Sequence, residues 1–110
     1  MTLDLLRSAA DAMAAQRSAL DIYARNIAAA QAVGPHGSYA RSVPHFAVVR
    51  DGSGGARLRF LGARRESGRE VNVVTEMVAV LDASRAYAAD AALFNIGKRV
   101  IERTIAMEQP

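Results

Sequence analysis

The chain lacks cysteine and tryptophan, and its only aromatic residues are three tyrosines and three phenylalanines. Without cysteine it can form no disulfide, and it can supply no thiolate for a metal site or for nucleophilic attack. Much of its 51% apolar content is alanine, which favours helix but buries little area. A chain of 110 residues with this composition has the length of one domain, and we expect a small core and low stability when it stands alone.

Long apolar runs are also missing. The first residues, MTLDLLRSAADAM, contain no basic n-region, and Asp4, Arg7 and Asp11 interrupt their apolar positions. We therefore expect neither a cleaved signal peptide nor direct membrane insertion. If the protein leaves the cytoplasm, we expect an export route that reads no cleaved signal.

Catalytic and metal-binding motifs are not evident in the sequence. We interpret His36 as a loop residue and His45 as a half-exposed strand residue, not as bases or ligands. No HExxH motif, phosphate-binding loop before a helix or catalytic triad can be assembled, and the glycine-rich DGSGG is read as a turn. Asp82, Asp90 and Glu102 are predicted to be solvated. We therefore expect no enzymatic activity, no cofactor and no metal.

A cluster of arginines supports a different class of function. The chain carries a formal net charge of +3 and has a pI near 10.0, which permits an anionic partner. The cluster could contact phosphates as part of a small basic helical dimer that binds nucleic acid, although Glu66 and Glu70 dilute its charge. Its members are Arg57, Arg59, Arg64, Arg65 and Arg69.

The first long helix is predicted from Leu3 to the stop at Val33-Gly34-Pro35. Residues at alternating spacings of three and four form a heptad a/d seam, in which Arg17 is the one basic member. This a/d seam consists of Leu3, Leu6, Ala10, Met13, Arg17, Leu20, Ala24 and Ile27.

The second long helix is predicted from about Val73 to Ala106, with Asn72 as its N-cap. Two apolar stripes run along it, which indicates neighbours on more than one side. The first stripe comprises Val73, Met77, Val80, Ser84, Tyr87, Ala91, Phe94, Ile101 and Ile105. The second comprises Val74, Val78, Leu81, Ala88, Ala92 and Ile96.

Between the helices the pattern changes to that of a β-hairpin. A β-rich run spans Val43 to Val49, a glycine-rich turn follows at 52–55, and an alternating run spans Arg57 to Leu61. One hairpin is too small to be stable alone, so it must pack on the helices or on a partner. The predicted fold is mainly α: two long helices paired as a coiled-coil-like hairpin. The single domain is divided into segments 1–33, 34–70 and 71–110.

Two stretches resemble a known protein family. Residues 8–30, SAADAMAAQRSALDIYARNIAAA, are similar to the N-terminal signature of bacterial flagellar rod and hook proteins. Residues 71–100 are similar to the C-terminal signature of the proximal rod proteins of the flagellar basal body, C type. The first match is carried by Ser8, Met13, Ala15, Gln16, Leu20, Asp21, Ala24, Asn26, Ile27 and Ala28. The second is carried by Val71 to Val74, Glu76, Met77, Ala83, Ser84, Arg85, Tyr87, Ala89 and Asn95.

This resemblance implies a structural subunit of the periplasmic rod, exported through the flagellar type III apparatus. Its terminal helices would pack with other copies of itself, with other rod proteins and with the adaptor between rod and MS ring, building the shaft that transmits motor torque. The central segment is shorter here than in the family. The implied assembly interface comprises Met13, Gln16, Leu20, Ala24, Asn26, Ile27, Met77, Leu81, Ser84, Arg85, Tyr87, Ala88, Ala91 and Asn95.

Asn26 is the unusual residue of the first helix, because asparagine competes with the backbone and is a mediocre helix former. It falls off the a/d seam, beside Ala19 and Tyr23 on a face of smaller residues. A lone buried amide opposite a polar partner fixes the alignment of helices at some cost in stability. We therefore predict that Asn26 sets the register, with Asn95 and Arg85 as candidate counterparts.

Overall fold

The computed structural model describes residues 2–34, 39–50, 52 and 56–108, with the backbone alone at residues 2 and 67–70. The chain forms α1 (Thr2–Val33), β1 (Ala40–Arg50), β2 (Ala56–Glu70) and α2 (Val73–Glu108). Two long helices pack together, and a two-stranded antiparallel hairpin lies between them in the sequence, so the predicted fold class is confirmed. None of the helices described here is long and apolar enough to cross a membrane.

Local signals fix the ends of the helices. Gly34, with a φ of 73°, follows the last residue of α1, and a left-handed glycine commonly terminates a helix. At the start of α2 the side-chain oxygen of Asn72 accepts hydrogen bonds from the backbone N–H groups of Val74 and Thr75, at 3.0 and 3.3 Å. Asn72 is therefore the N-cap, as predicted.

Helix α1 lies at the centre of an elongated molecule of 70 × 26 × 15 Å. It packs against α2 on one side and against both strands on another. The hairpin therefore leans on α1, as its small size required. Because the strands pack on α1, they do not cover the side of α2 that faces away from α1.

The a/d seam is only half-buried, which corrects the sequence-based prediction. Leu6, Met13, Leu20 and Ile27 are half-buried, whereas its alternate members Leu3, Ala10, Arg17 and Ala24 are exposed. The deepest apolar side chains of α1 form a different row, because two elements cover this helix instead of one. This row comprises Ala9, Ala15, Ala19 and Ile22.

One glycine permits close approach of the two helices. Gly97 is buried in α2, and a Cβ atom built on it would lie 3.0 Å from Cδ2 of Leu6. That distance is tighter than an ordinary packing contact. The absence of a side chain at this position therefore lets the N-terminal part of α1 pack on the C-terminal half of α2.

Both strands are longer than predicted. The pairing extends from Arg50 opposite Ala56 to Ala40 opposite Glu70, with irregularities between His45 and Phe46 and between Ala40 and Ser42. At the first irregularity Gly62 has a φ of 121°, a conformation that side chains rarely adopt. Next to it, the rings of Phe46 and Phe60 pack edge to face with centroids 6.0 Å apart.

Candidate assembly interface

An apolar stripe on α2 faces away from α1. All six of its residues are exposed, and we call them the outer stripe: Val74, Val78, Leu81, Ala88, Ala92 and Ile96. Val74 is 70% exposed, Leu81 49% and Ile96 53%. At about 100° per residue, this stripe lies opposite the buried row of Glu76, Ala83 and Gly97. In the part of the chain that the structure describes, the second stripe predicted from the sequence is thus exposed along its whole length.

The residues proposed for assembly fall into three classes of burial. Asn26 alone is buried. Half-buried positions are Met13, Gln16, Leu20, Ile27, Tyr87 and Ala91, and exposed positions are Ala24, Met77, Leu81, Ser84, Arg85, Ala88 and Asn95. Most of the α2 positions are therefore free to meet another molecule, whereas most of the α1 positions are partly covered within the chain.

An apolar groove brings several of these residues together. Ile27 of α1 lines it with Met77, Leu81 and Ser84 of α2, and Val74, Val78 and Val80 complete its walls. The cavity has a volume of about 640 Å³ and shares Val74, Val78 and Leu81 with the outer stripe. An apolar groove between two helices can accept side chains of a third helix.

The Asn26 side chain joins α1 to the hairpin. Its amide nitrogen donates to the carbonyl oxygen of Ser42 at 2.8 Å, and its amide oxygen accepts from the backbone N–H of Ser42 at 3.1 Å. Asn26 is 1% exposed, so its predicted burial is confirmed. Its partner is backbone rather than Asn95 or Arg85, because the hairpin, not α2, covers this side of α1.

A buried ion pair joins the hairpin to α2. The guanidinium of Arg41 in β1 donates from Nε to Oε1 of Glu76 at 2.5 Å, and Glu76 is fully buried. The other oxygen, Oε2, has no hydrogen-bond partner among the described residues. Removing one member of such a pair leaves a charge uncompensated, at a cost of about 3–5 kcal/mol. Nothing in the local sequence pattern predicts this pairing across 35 positions.

The tip of the hairpin is fixed to the N-terminal half of α1. Arg57 of β2 forms a two-pronged ion pair with Asp11, and the second prong, from Nη2 to Oδ1, measures 3.2 Å. Arg57 lowers the pKa of Asp11 by its hydrogen bond, burial raises it to a lesser extent, and the charges of Arg57 and Arg59 lower it further. The Ser8 hydroxyl also donates to the carbonyl oxygen of Ala56 at 3.4 Å.

Two arginines stack on tyrosines. Arg17, the basic member of the a/d seam, lies over the ring of Tyr87 and donates to its hydroxyl at 3.1 Å. Arg65 lies over the ring of Tyr39, 4.7 Å from its centroid. Of the arginine cluster, Arg65 and Arg57 therefore make contacts within the chain, with Tyr39 and Asp11. The side chain of Arg69 lies outside the described residues.

The histidines, the turn and the three carboxylates singled out in the sequence remain to be placed. His36, and the turn residues 51 and 53–55, lie outside the described residues. His45 is exposed on β1, and Asp82 and Glu102 are exposed as predicted. Asp90 is half-buried instead, because it lines a crevice with Leu93 and the hairpin tip.

The chain matches no protein-family model, and no curated protein matches it in sequence.

Proposed function

We propose that this chain is a structural subunit of the bacterial flagellar basal-body rod, similar to the proximal rod proteins of C type. The two signature-like stretches support this proposal: residues 8–30 lie within α1, and all but the first two residues of 71–100 lie within α2. In the rod, the chain would pack through these helices against its own copies and against other rod proteins, and so transmit torque.

The observation that carries the proposal is the outer stripe. Valine, leucine and isoleucine stay in contact with water along several turns of α2, and contiguous exposed apolar surface marks sites of protein association. The stripe is continuous with the groove at Ile27, because Val74, Val78 and Leu81 belong to both. An exposed apolar surface that runs along several turns of α2 can pack against helices of neighbouring subunits, as the assembly of a rod requires.

The nucleic-acid alternative has less support. Arg57 and Arg65 already contact Asp11 and Tyr39, so the cluster offers fewer free cations than its sequence indicates. We expect duplex DNA to bind only at the generic, salt-sensitive level of about 10⁻⁴ to 10⁻⁶ M. Sub-micromolar binding at physiological salt would favour the alternative.

The test replaces the outer stripe in the bacterium that encodes the chain. Leu81→Gln and Ile96→Gln alter exposed positions, so each should change the stability of the isolated chain by no more than about 0.5 kcal/mol. We expect the double variant to be exported and soluble but absent from purified basal bodies, with loss of swimming. Met107→Gln, at an 85% exposed residue near the end of α2, is the control and should assemble. Normal rods and swimming in a strain deleted for the chain would refute the proposal.

A further inference from the structure

A second groove between the helices is lined by polar groups. This tyrosine groove consists of Gln16, Tyr23, Ala79, Asp82, Ala83 and Ala86, with a volume of about 350 Å³. That volume falls within the range of about 300–1,000 Å³ found for binding pockets. The alanines leave space at its base, and the amide, phenol and carboxylate supply hydrogen-bonding groups.

Among the described residues that line the groove, Asp82 supplies a negative charge and none supplies a positive one. Burial of the phenol raises the pKa of Tyr23. The positive charge of Arg41 lowers this pKa, and the negative charges of Glu76 and Asp82 raise it. The guanidinium of Arg41 is held by Glu76. Asp82 is exposed and makes no ion pair within the part of the chain that the structure describes. The groove therefore favours a positively charged occupant.

The chain's own tyrosines indicate which cation fits. Tyr87 and Tyr39 each lie under an arginine, whereas Tyr23 has no such contact among the described residues. The single lysine, Lys98, is paired with Glu102, so a second copy would supply arginine. A planar guanidinium can stack on a phenol ring and pair with a carboxylate at the same time.

We propose that the tyrosine groove binds an arginine side chain from a second copy of this chain, stacked on Tyr23 and paired with Asp82. This contact rests on the assembly function proposed above and specifies one interaction within it. Seven exposed arginines make no ion pair or hydrogen bond within the described residues. They are Arg7, Arg50, Arg59, Arg64, Arg85, Arg99 and Arg103.

Sedimentation velocity over a concentration series tests the contact with the purified chain. We expect the wild type to self-associate and Asp82→Arg to weaken association at least about tenfold. Glu108→Arg makes the same charge change at an exposed position of α2 outside the groove and should have an effect below about twofold. Tyr23→Leu should weaken association, whereas Tyr23→Phe keeps the ring and should not.

The partner arginine is found by charge exchange. Each of the seven arginines is changed to aspartate in the Asp82→Arg background, and we expect one of these changes to restore association. Circular dichroism checks that every variant stays helical; if Asp82→Arg does not, Asp82→Asn removes the charge without adding bulk.

The outcomes separate this contact from the broader proposal. A wild type that stays monomeric at every concentration would overturn both the contact and the assembly function. Association that Asp82 variants leave unchanged would overturn the contact alone. Loss of association that no arginine change restores would exclude an arginine of a second copy as the occupant.

Discussion

Asn26 and Glu76 are the polar side chains that the described residues bury completely. Each holds β1 from a different helix: Asn26 bonds the backbone of Ser42, and Glu76 bonds the guanidinium of Arg41. An asparagine amide can donate and accept at once, so it satisfies both backbone groups of Ser42 as a neighbouring strand would. Asn26, a mediocre helix former in an alanine-rich helix, therefore anchors the hairpin to α1.

Replacing Asn26 tests this role. Asn26→Ala removes both bonds and leaves the Ser42 backbone groups unpaired, at an expected cost of about 1–3 kcal/mol in the free energy of unfolding. Asn26→Asp should also destabilise, because a carboxylate cannot donate to the Ser42 carbonyl. Urea unfolding at a fixed protein concentration measures the effect. Asn95→Ala makes the same change at an exposed site of α2 and should cost no more than about 0.5 kcal/mol; equal losses at both sites would contradict the anchor.

The hairpin is an element held at two points. Near its base it is fixed by Asn26 and Glu76, and near its tip by the Asp11–Arg57 pair and the Ser8 hydroxyl. Between these points the strands lie along α1. A two-stranded hairpin is marginal in water, so we infer that these attachments hold its position as much as its own ladder does.

The attachment at the tip should depend on pH in a defined direction. The folded-state pKa of Asp11 is lowered, so its contribution to stability is present above the unfolded value near 3.9 and is lost as pH falls through the folded value. We expect Asp11→Asn to be less stable than wild type at neutral pH, with the difference shrinking below about pH 4. Denaturation at several pH values measures this. Asp21→Asn, which breaks the exposed pair with Arg25, should show a much smaller difference at neutral pH.

Local signals predicted elements better than they predicted contacts. The N-cap at Asn72 and the glycine after α1 act within a few residues, so the end of α1 and the start of α2 could be read from the sequence, whereas α2 runs to Glu108, past the predicted end at Ala106. The extension of β2 to Glu70 depends on pairing with β1, which the local pattern does not record. Likewise the position of Asn26 on a face of small residues predicted its burial. It did not predict the hydrogen bonds to Ser42, because a heptad pattern describes contacts between helices and Ser42 lies on a strand.

The whole molecule combines a small core with a large uncovered surface. Ala9, Ala15, Ala19, Ile22 and Ala83 are the buried apolar residues of the described part, and alanine contributes little area. Meanwhile the outer stripe and the groove at Ile27 remain exposed. Such a chain should gain much of its stability from association.

We therefore expect the thermal midpoint of the purified chain to rise with protein concentration, because association stabilises the folded state. Calorimetry or circular dichroism over a hundredfold range of concentration measures this. The Leu81→Gln, Ile96→Gln double variant should remove most of the dependence. A midpoint independent of concentration would show that the single chain is stable without neighbours.

Small side chains around the middle of α2 test how closely neighbours approach in the assembly. Ala86 lines the tyrosine groove and Ala89 is exposed, so leucine at either position costs the isolated helix almost nothing in propensity. In a packed array each site would face another helix, and overpacking costs about 1–3 kcal/mol in every subunit. We predict that Ala86→Leu and Ala89→Leu leave the chain soluble and exportable but block rod assembly and swimming. The two sites also distinguish the two proposals. If only Ala86→Leu blocks assembly, a neighbouring subunit occupies the tyrosine groove but not the face at Ala89. Normal swimming with both variants would show that this part of α2 faces solvent.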